Sequence, residues 1–219
     1  MEKTDTSETS KLQFAKTTGE TTIGAQKLAE RIDRYVEEDI LPSLADFVRI
    51  PNLSSGFDLE HKTNGLHQKA CQFVMDWAHT QDIKGLTLEL HDHPDRTPLI
   101  YGEVAASPGI DSTIFMYGHI DKQPHLTDQW REGLHPTEPV REGNKMYGRG
   151  VADDGYAFYS SLSIVKILQE MGLPHSRFIL FFETDEESGS KYVMQYIEDL
   201  KHRIGKPNLI ICLGNFFYL

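Results

Sequence analysis

Two cysteines, Cys71 and Cys212, lie far apart in a chain of 219 residues. They form neither a CxxC redox pair nor a disulfide framework, so both are expected to be reduced, buried thiols in a cytoplasmic protein. Positive charge is also scarce. Twenty-two Lys and Arg stand against 33 Asp and Glu, for a net charge of -11, and no basic cluster marks a nucleic-acid surface. No apolar run is long enough to span a bilayer, and the first twenty residues lack the apolar centre of a secretory signal. The nucleophile elbow GxSxG, the phosphate loop GxxxxGK[ST] and a GxGxxG after a strand are all missing. Cys71 falls inside a helical repeat, so serine or cysteine hydrolases and nucleotide enzymes have little support.

What the chain does contain is a change of period. Residues 1–22 are rich in Thr, Ser, Lys and Glu and read as a loose polar tail. Leu28, Ile32, Tyr35, Val36 and Ile40 then recur at helical spacing before Pro42, and Leu66, Ala70, Phe73, Val74 and Trp77 mark a second helix. Between them, Pro51, Asn52 and Ser54-Ser55-Gly56 read as a loop. From residue 85 the period becomes two. Strands are predicted at 86–90, 98–101 and 113–117, and a hairpin at 140–147 turning at Glu142-Gly143-Asn144. A helix over 156–171, an apolar strand over 178–182, a helix over about 188–204 and a strand over 209–213 complete the pattern. Alternation of apolar strands with helices implies an α/β domain, 23–219, with a mostly parallel central sheet.

In such sheets functional groups gather beyond the carboxyl ends of strands. Three predicted ends carry metal-type residues. The first runs into Gly118-His119-Ile120-Asp121, where His119 and Asp121 point the same way in an extended chain. The second cluster is Asp153-Asp154 at the start of a helix. The third is Glu183-Thr184-Asp185-Glu186-Glu187-Ser188. Each has an ordinary explanation: a hydrogen-bonded histidine, a helix cap, and a solvated acidic loop that caps the next helix. All three after strands of one domain would be a triple coincidence. The run His91-Asp92-His93-Pro94-Asp95 reads as a polar strand-end turn, and His67, His79, His125, His135, His175 and His202 as surface or helix histidines.

GHID, YGRGVADDG and ETDEESGS, in that order, resemble the M20 metallopeptidases, a group of dipeptidases, carboxypeptidases and carnosinase-like enzymes. HIDKQP and the Trp130–Gly133 stretch fit the same pattern, and the resemblance runs from about residue 24 to 213. It implies a three-layer α/β/α zinc-peptidase-like fold and hydrolysis of peptide bonds in small peptides through a metal-activated water. It also implies roles. His119 would bind one metal, Asp121 would orient its imidazole, and Asp153 would bridge two metals. Glu187 would bind the second metal and Glu186 would be the general base. Two Zn2+ ions are implied, with Mn2+ or Co2+ as alternatives. Imidazole and carboxylate donors suit zinc, two such ions polarise a carbonyl and acidify water, and a nearby carboxylate shuttles the proton.

The resemblance also sets what should follow. An Asp is expected just after Leu213, where the sequence reads Gly214-Asn215-Phe216-Phe217-Tyr218-Leu219. A later His, and the inserted domain that members use to dimerise and to close over substrate, are not in these 219 residues. The expectation is therefore a C-terminally truncated catalytic domain with an unpaired, aggregation-prone last strand. The alternative function is an inactive remnant that binds metal weakly or not at all.

Overall fold

The structure, a computed structural model, describes residues 19–214. Most of the expected tail and Asn215–Leu219 lie outside the described residues.

The first helix, α1 (Gly19–Tyr35), does not stop before Pro42. It passes through one wider π-type turn, Val36–Ile40, into α2 (Leu41–Val48). Pro42 sits in the first turn of α2, where a missing N–H costs nothing and a fixed φ is already helical. The continuation buries Leu44, Phe47 and Val48. Helix α3 (Leu66–His79) is launched by Gly65 at φ 69° and by the Asn64 side chain, which accepts from the Leu66 N–H at 3.0 Å. Its buried face carries Ala70, Cys71, Val74, Met75 and Ala78. Among the described residues no helix is long and apolar enough to cross a membrane.

Five strands form the main sheet: β1 (Leu86–His91), β2 (Leu99–Val104), β3 (Thr113–His119), β6 (Arg177–Glu183) and β7 (Leu209–Cys212). Their spatial order is β1-β2-β6-β3-β7. β6, β3 and β7 pair in parallel, whereas β2 is antiparallel to both β1 and β6. Four of the five strands therefore share one direction and β2 alone is reversed. A two-stranded hairpin, β4 (Val140–Glu142) and β5 (Lys145–Tyr147), lies apart and turns at Gly143-Asn144 as predicted.

Alternation along β6 explains the three layers. Phe178, Leu180 and Phe182 face α3 and α4 (Tyr156–Glu170), where Ala157, Phe158, Leu162 and Val165 meet them. Ile179 and Phe181 face the opposite side with Leu99, Tyr101 and Phe115, against Tyr196, Leu200 and Ile204 of α5 (Val193–Ile204). Every β6 residue from Phe178 to Phe182 is buried, and each such side chain contributes roughly 1.5–3 kcal/mol. The strand therefore reads as one continuous apolar run, because both of its faces are covered.

Two expectations are corrected. Helix α5 begins at Val193, not near Ser188, because Gly189 and Ser190 adopt φ of 92° and 52° and right-handed helix cannot pass through them. Cys212 is exposed, since β7 is the last strand on its side of the sheet among the described residues; Cys71 is buried as expected, and both are free thiols.

Candidate metal centre

β3 and β6 run side by side and end in register, His119 opposite Glu183. The two chain exits, 119–121 and 184–187, therefore emerge together at the carboxyl edge of the sheet. The turn Val151–Gly155 between β5 and α4 reaches the same point, bringing Asp153 and Asp154. All three sequence clusters converge, although they come from separate parts of the chain.

His119 is the hub and is almost fully buried. Its Nδ1 lies 3.3 Å from Asp121 Oδ1 and 3.2 Å from the Asp121 carbonyl oxygen. Its Nε2 lies 3.1 Å from Asp153 Oδ1 and 3.6 Å from Glu186 Oε2. Burial works against the protonated ring. The hydrogen bonds to Asp121 and Asp153 outweigh it, and the imidazole is pushed up to about 11. A cation arriving here competes with that proton.

Asp121 has a second contact that the sequence did not show. The Glu186 N–H donates to its Oδ1 at 3.2 Å and the Glu187 N–H to its Oδ2 at 3.1 Å. One buried carboxylate thus ties the histidine to the acidic turn. Asp154 does not cap α4, which has no side-chain cap. Its Oδ2 instead accepts the His119 backbone N–H at 3.1 Å, and burial pushes its carboxyl up to about 8. The peptide joining Asp153 to Asp154 is cis.

The acidic run does not behave as a solvated cap either. Asp185 is buried and accepts a hydrogen bond from Ser55 Oγ. Ser188 Oγ donates to Ser54 Oγ at 2.7 Å and accepts from the Gly56 N–H at 2.7 Å. The 54–56 loop therefore clasps the turn that carries Glu186 and Glu187. Gln123 Nε2 donates to Glu187 Oε2, whereas Glu187 Oε1 is buried with no hydrogen-bond partner among the described residues. Burial raises Glu187 to about 7. Ser54, Ser55 and Gln123 were not among the expected site residues. Their partners lie 64 to 134 positions away, so no local pattern could reveal them.

Ligand-type atoms of His119, Glu186 and Glu187 all lie within 4.8 Å of one another. Asp153 touches the same imidazole nitrogen. One imidazole surrounded by carboxylates is the donor set of a divalent cation, and the unpartnered Glu187 oxygen supplies an acceptor that such an ion would satisfy. The residues present fit a metal. The run at 91–95 is a strand-end turn as expected, with β1 ending at His91. His67 is a helix histidine on α3 as expected, buried against the Leu53 carbonyl oxygen at 2.7 Å, whereas His175, in the loop before β6, is buried against Gln169 at 3.2 Å rather than superficial.

Comparison with known proteins points the same way. Residues 115–214 match the model of peptidase family M20/M25/M40. An uncharacterized metallohydrolase of Methanocaldococcus jannaschii is 27% identical over 187 residues, covering 82% of this chain and 44% of that protein. The Cys-Gly metallodipeptidase dug1 of Schizosaccharomyces pombe is 26% identical over 198 residues, covering 88% and 41%. Among solved structures, the di-peptidase Dug1p of Saccharomyces cerevisiae superposes with a TM-score of 0.70 at 22% identity, over 88% of this chain and 41% of that one. The chain thus spans less than half the length of these relatives.

Proposed function

From the M20-type segment at residues 115–214, we propose that the chain is built for metal-dependent hydrolysis of peptide bonds in small peptides. The observation that carries the reading is the convergence of His119, Asp153, Glu186 and Glu187 around one point at the carboxyl edge of the sheet. His119, Asp153 and Glu187 would hold the metal, Zn2+ by preference, with Mn2+ or Co2+ suited to the same donors. A bound divalent cation supplies Lewis acidity to a peptide carbonyl and to water.

The remaining roles belong to side chains on the page. Asp121 receives the Nδ1 face of His119 and so leaves Nε2 free to act as the donor atom, the carboxylate–imidazole pairing that fixes a ligand's tautomer. The Glu186 side chain is 40% exposed and faces the same nitrogen from 3.6 Å. We assign it as the general base: its carboxylate takes a proton from water and returns it to the leaving amine. Asp154 holds the His119 main chain and Gln123 holds Glu187, so both position ligands. The solution setting consistent with two free thiols is the cytoplasm.

Two measurements test the reading together. The purified chain is loaded with zinc, stripped of loose metal by gel filtration and weighed by native mass spectrometry. Dipeptide cleavage is then followed in the loaded protein and in Glu186→Ala. Bound zinc with cleavage that falls by about 10²-fold or more in the variant is expected for loss of a general base. Zinc retention without cleavage would favour a metal-binding remnant, and loss of both would remove the hydrolase reading.

A further inference from the structure

Lys122 follows Asp121 directly and is 1% exposed. Its amino group donates to the carbonyl oxygens of Phe47 at 2.9 Å and Ile50 at 2.6 Å, at the C-terminal end of α2. The same nitrogen stands 4.0 Å from the centroid of the Phe47 ring. The lysine stem runs beneath Gly150: a Cβ built on that glycine would lie 2.6, 3.0 and 3.1 Å from Cε, Cγ and Cδ of Lys122. Phe47 packs in turn on Gly155, where an added Cβ would come 2.8 Å from its ring. The Gly155 N–H donates to the Gly150 carbonyl oxygen at 2.9 Å. The turn that carries Asp153 is thus seated on the lysine and on Phe47. The main chain of Lys122 adds a third contact, since its carbonyl oxygen accepts the Ser54 N–H at 2.9 Å and Leu53 bridges to it in parallel. Ser54 belongs to the loop that clasps the turn carrying Glu186 and Glu187.

We propose that Lys122 is a positioning residue of the metal centre, the common base on which the segments bearing His119, Asp153 and Glu187 are held together. The proposal rests on the metal reading of that site. Burying an amino group costs more than burying methionine, which has nearly the same stem, so apolar packing alone does not account for a lysine here. What lysine adds is N–H donors at the end of a long stem, and either protonation form supplies the two that are used. They fix the end of α2 against the His119–Asp121 exit, while the stem sets the height of the Gly150–Gly155 turn. Groups behind a metal's ligands act through the orientation of those ligands, and removing one costs about 10–100-fold in metal affinity.

The test compares Lys122→Met with Val104→Ala in the full chain. Val104 is fully buried at the opposite end of the sheet, paired with Phe178 at the start of β6, so its truncation lowers stability without touching the site. Co2+ is titrated into each protein, and its visible absorption bands read the coordination geometry. Lys122→Met is expected to weaken Co2+ binding by about tenfold or more and to alter the bands, whereas Val104→Ala keeps both at the parent's values. In EDTA, the imidazole nitrogen resonances of His119 should move in Lys122→Met alone. If the methionine variant does not fold, Lys122→Gln takes its place, because it keeps an N–H donor on a shorter stem. Parent-like Co2+ affinity and bands with unmoved His119 resonances would overturn the proposal, as would equal changes in Val104→Ala. A parent chain that binds no Co2+ would sink the metal reading, and the EDTA spectra would then decide whether Lys122 sets the His119 geometry.

Discussion

Gly118 precedes His119 at the end of β3, and a side chain there would strike both the core and the candidate metal centre. A Cβ built on it lies 2.7 Å from Asp154 Oδ2, 2.7 Å from Phe182 Cε1 and 3.1 Å from Ala157 Cβ. Real Cβ atoms essentially never come within 3.0 Å of a heavy atom, so Gly118→Ala must displace a neighbour. Phe182 is fully buried in the sheet face and Ala157 is locked into α4. Asp154 is the movable neighbour, and moving it pulls its Oδ2 from the His119 N–H. Overpacking costs about 1–3 kcal/mol, and a buried donor left unpaired costs about 1–3 kcal/mol more. The expected loss is therefore about 2–6 kcal/mol, which for a chain of this size lowers the melting temperature by roughly 4–24 °C. Urea unfolding of the metal-free protein, with the His119 amide followed by NMR, measures both effects. Gly24→Ala is the matched control: the glycine lies in α1 with nothing within 4 Å of a new Cβ, so a gain of about 0.5–1 kcal/mol is expected. A Gly118→Ala protein as stable as the parent, with an unmoved His119 amide, would refute the argument.

Three further outcomes follow from the packing. Ellman's reagent should titrate one thiol rapidly, Cys212, and reach Cys71 only after unfolding, since burial raises the Cys71 pKa and shields it. Lys122 is buried with its ammonium donating to the carbonyl oxygens of Phe47 at 2.9 Å and Ile50 at 2.6 Å, and Lys122→Met should cost about 2–4 kcal/mol by stranding both acceptors. A denaturation midpoint within error of the parent would contradict this. Stability of the metal-free chain should fall as pH rises. Burial lifts Asp154 from 3.8 to about 8 and Glu183 from 4.5 to about 7. A carboxyl with a raised folded pKa stabilises fully below its unfolded value and loses that contribution as pH climbs through the folded one. His119, raised from 6.5 to about 11, acts with the same sign at higher pH. Melting curves in EDTA between about pH 5 and pH 8 check the slope, and Asp154→Asn should flatten it.

Much of the site was legible because its chemistry travels in short strings. GHID, VADD and DEE each put donor side chains at the ends of elements whose periodicity is plain. The apolar run 178–182 announced a strand covered on both faces, and that is what β6 became. What stayed hidden depends on partners distant in the chain. Nothing near Pro42 announces that a π-type turn will carry the helix past it, and nothing near β2 fixes its insertion, reversed, between β1 and β6. The clasp of Ser55 on Asp185 joins residues 130 positions apart, and that of Gln123 on Glu187 joins residues 64 apart. The sequence by itself determined the candidate donor residues and the α/β pattern, since residue type and period are local properties. Only the tertiary structure decided which carboxylates face the histidine and which loops hold them there. Those outcomes depend on register between strands and on burial, and neither exists until the sheet has closed.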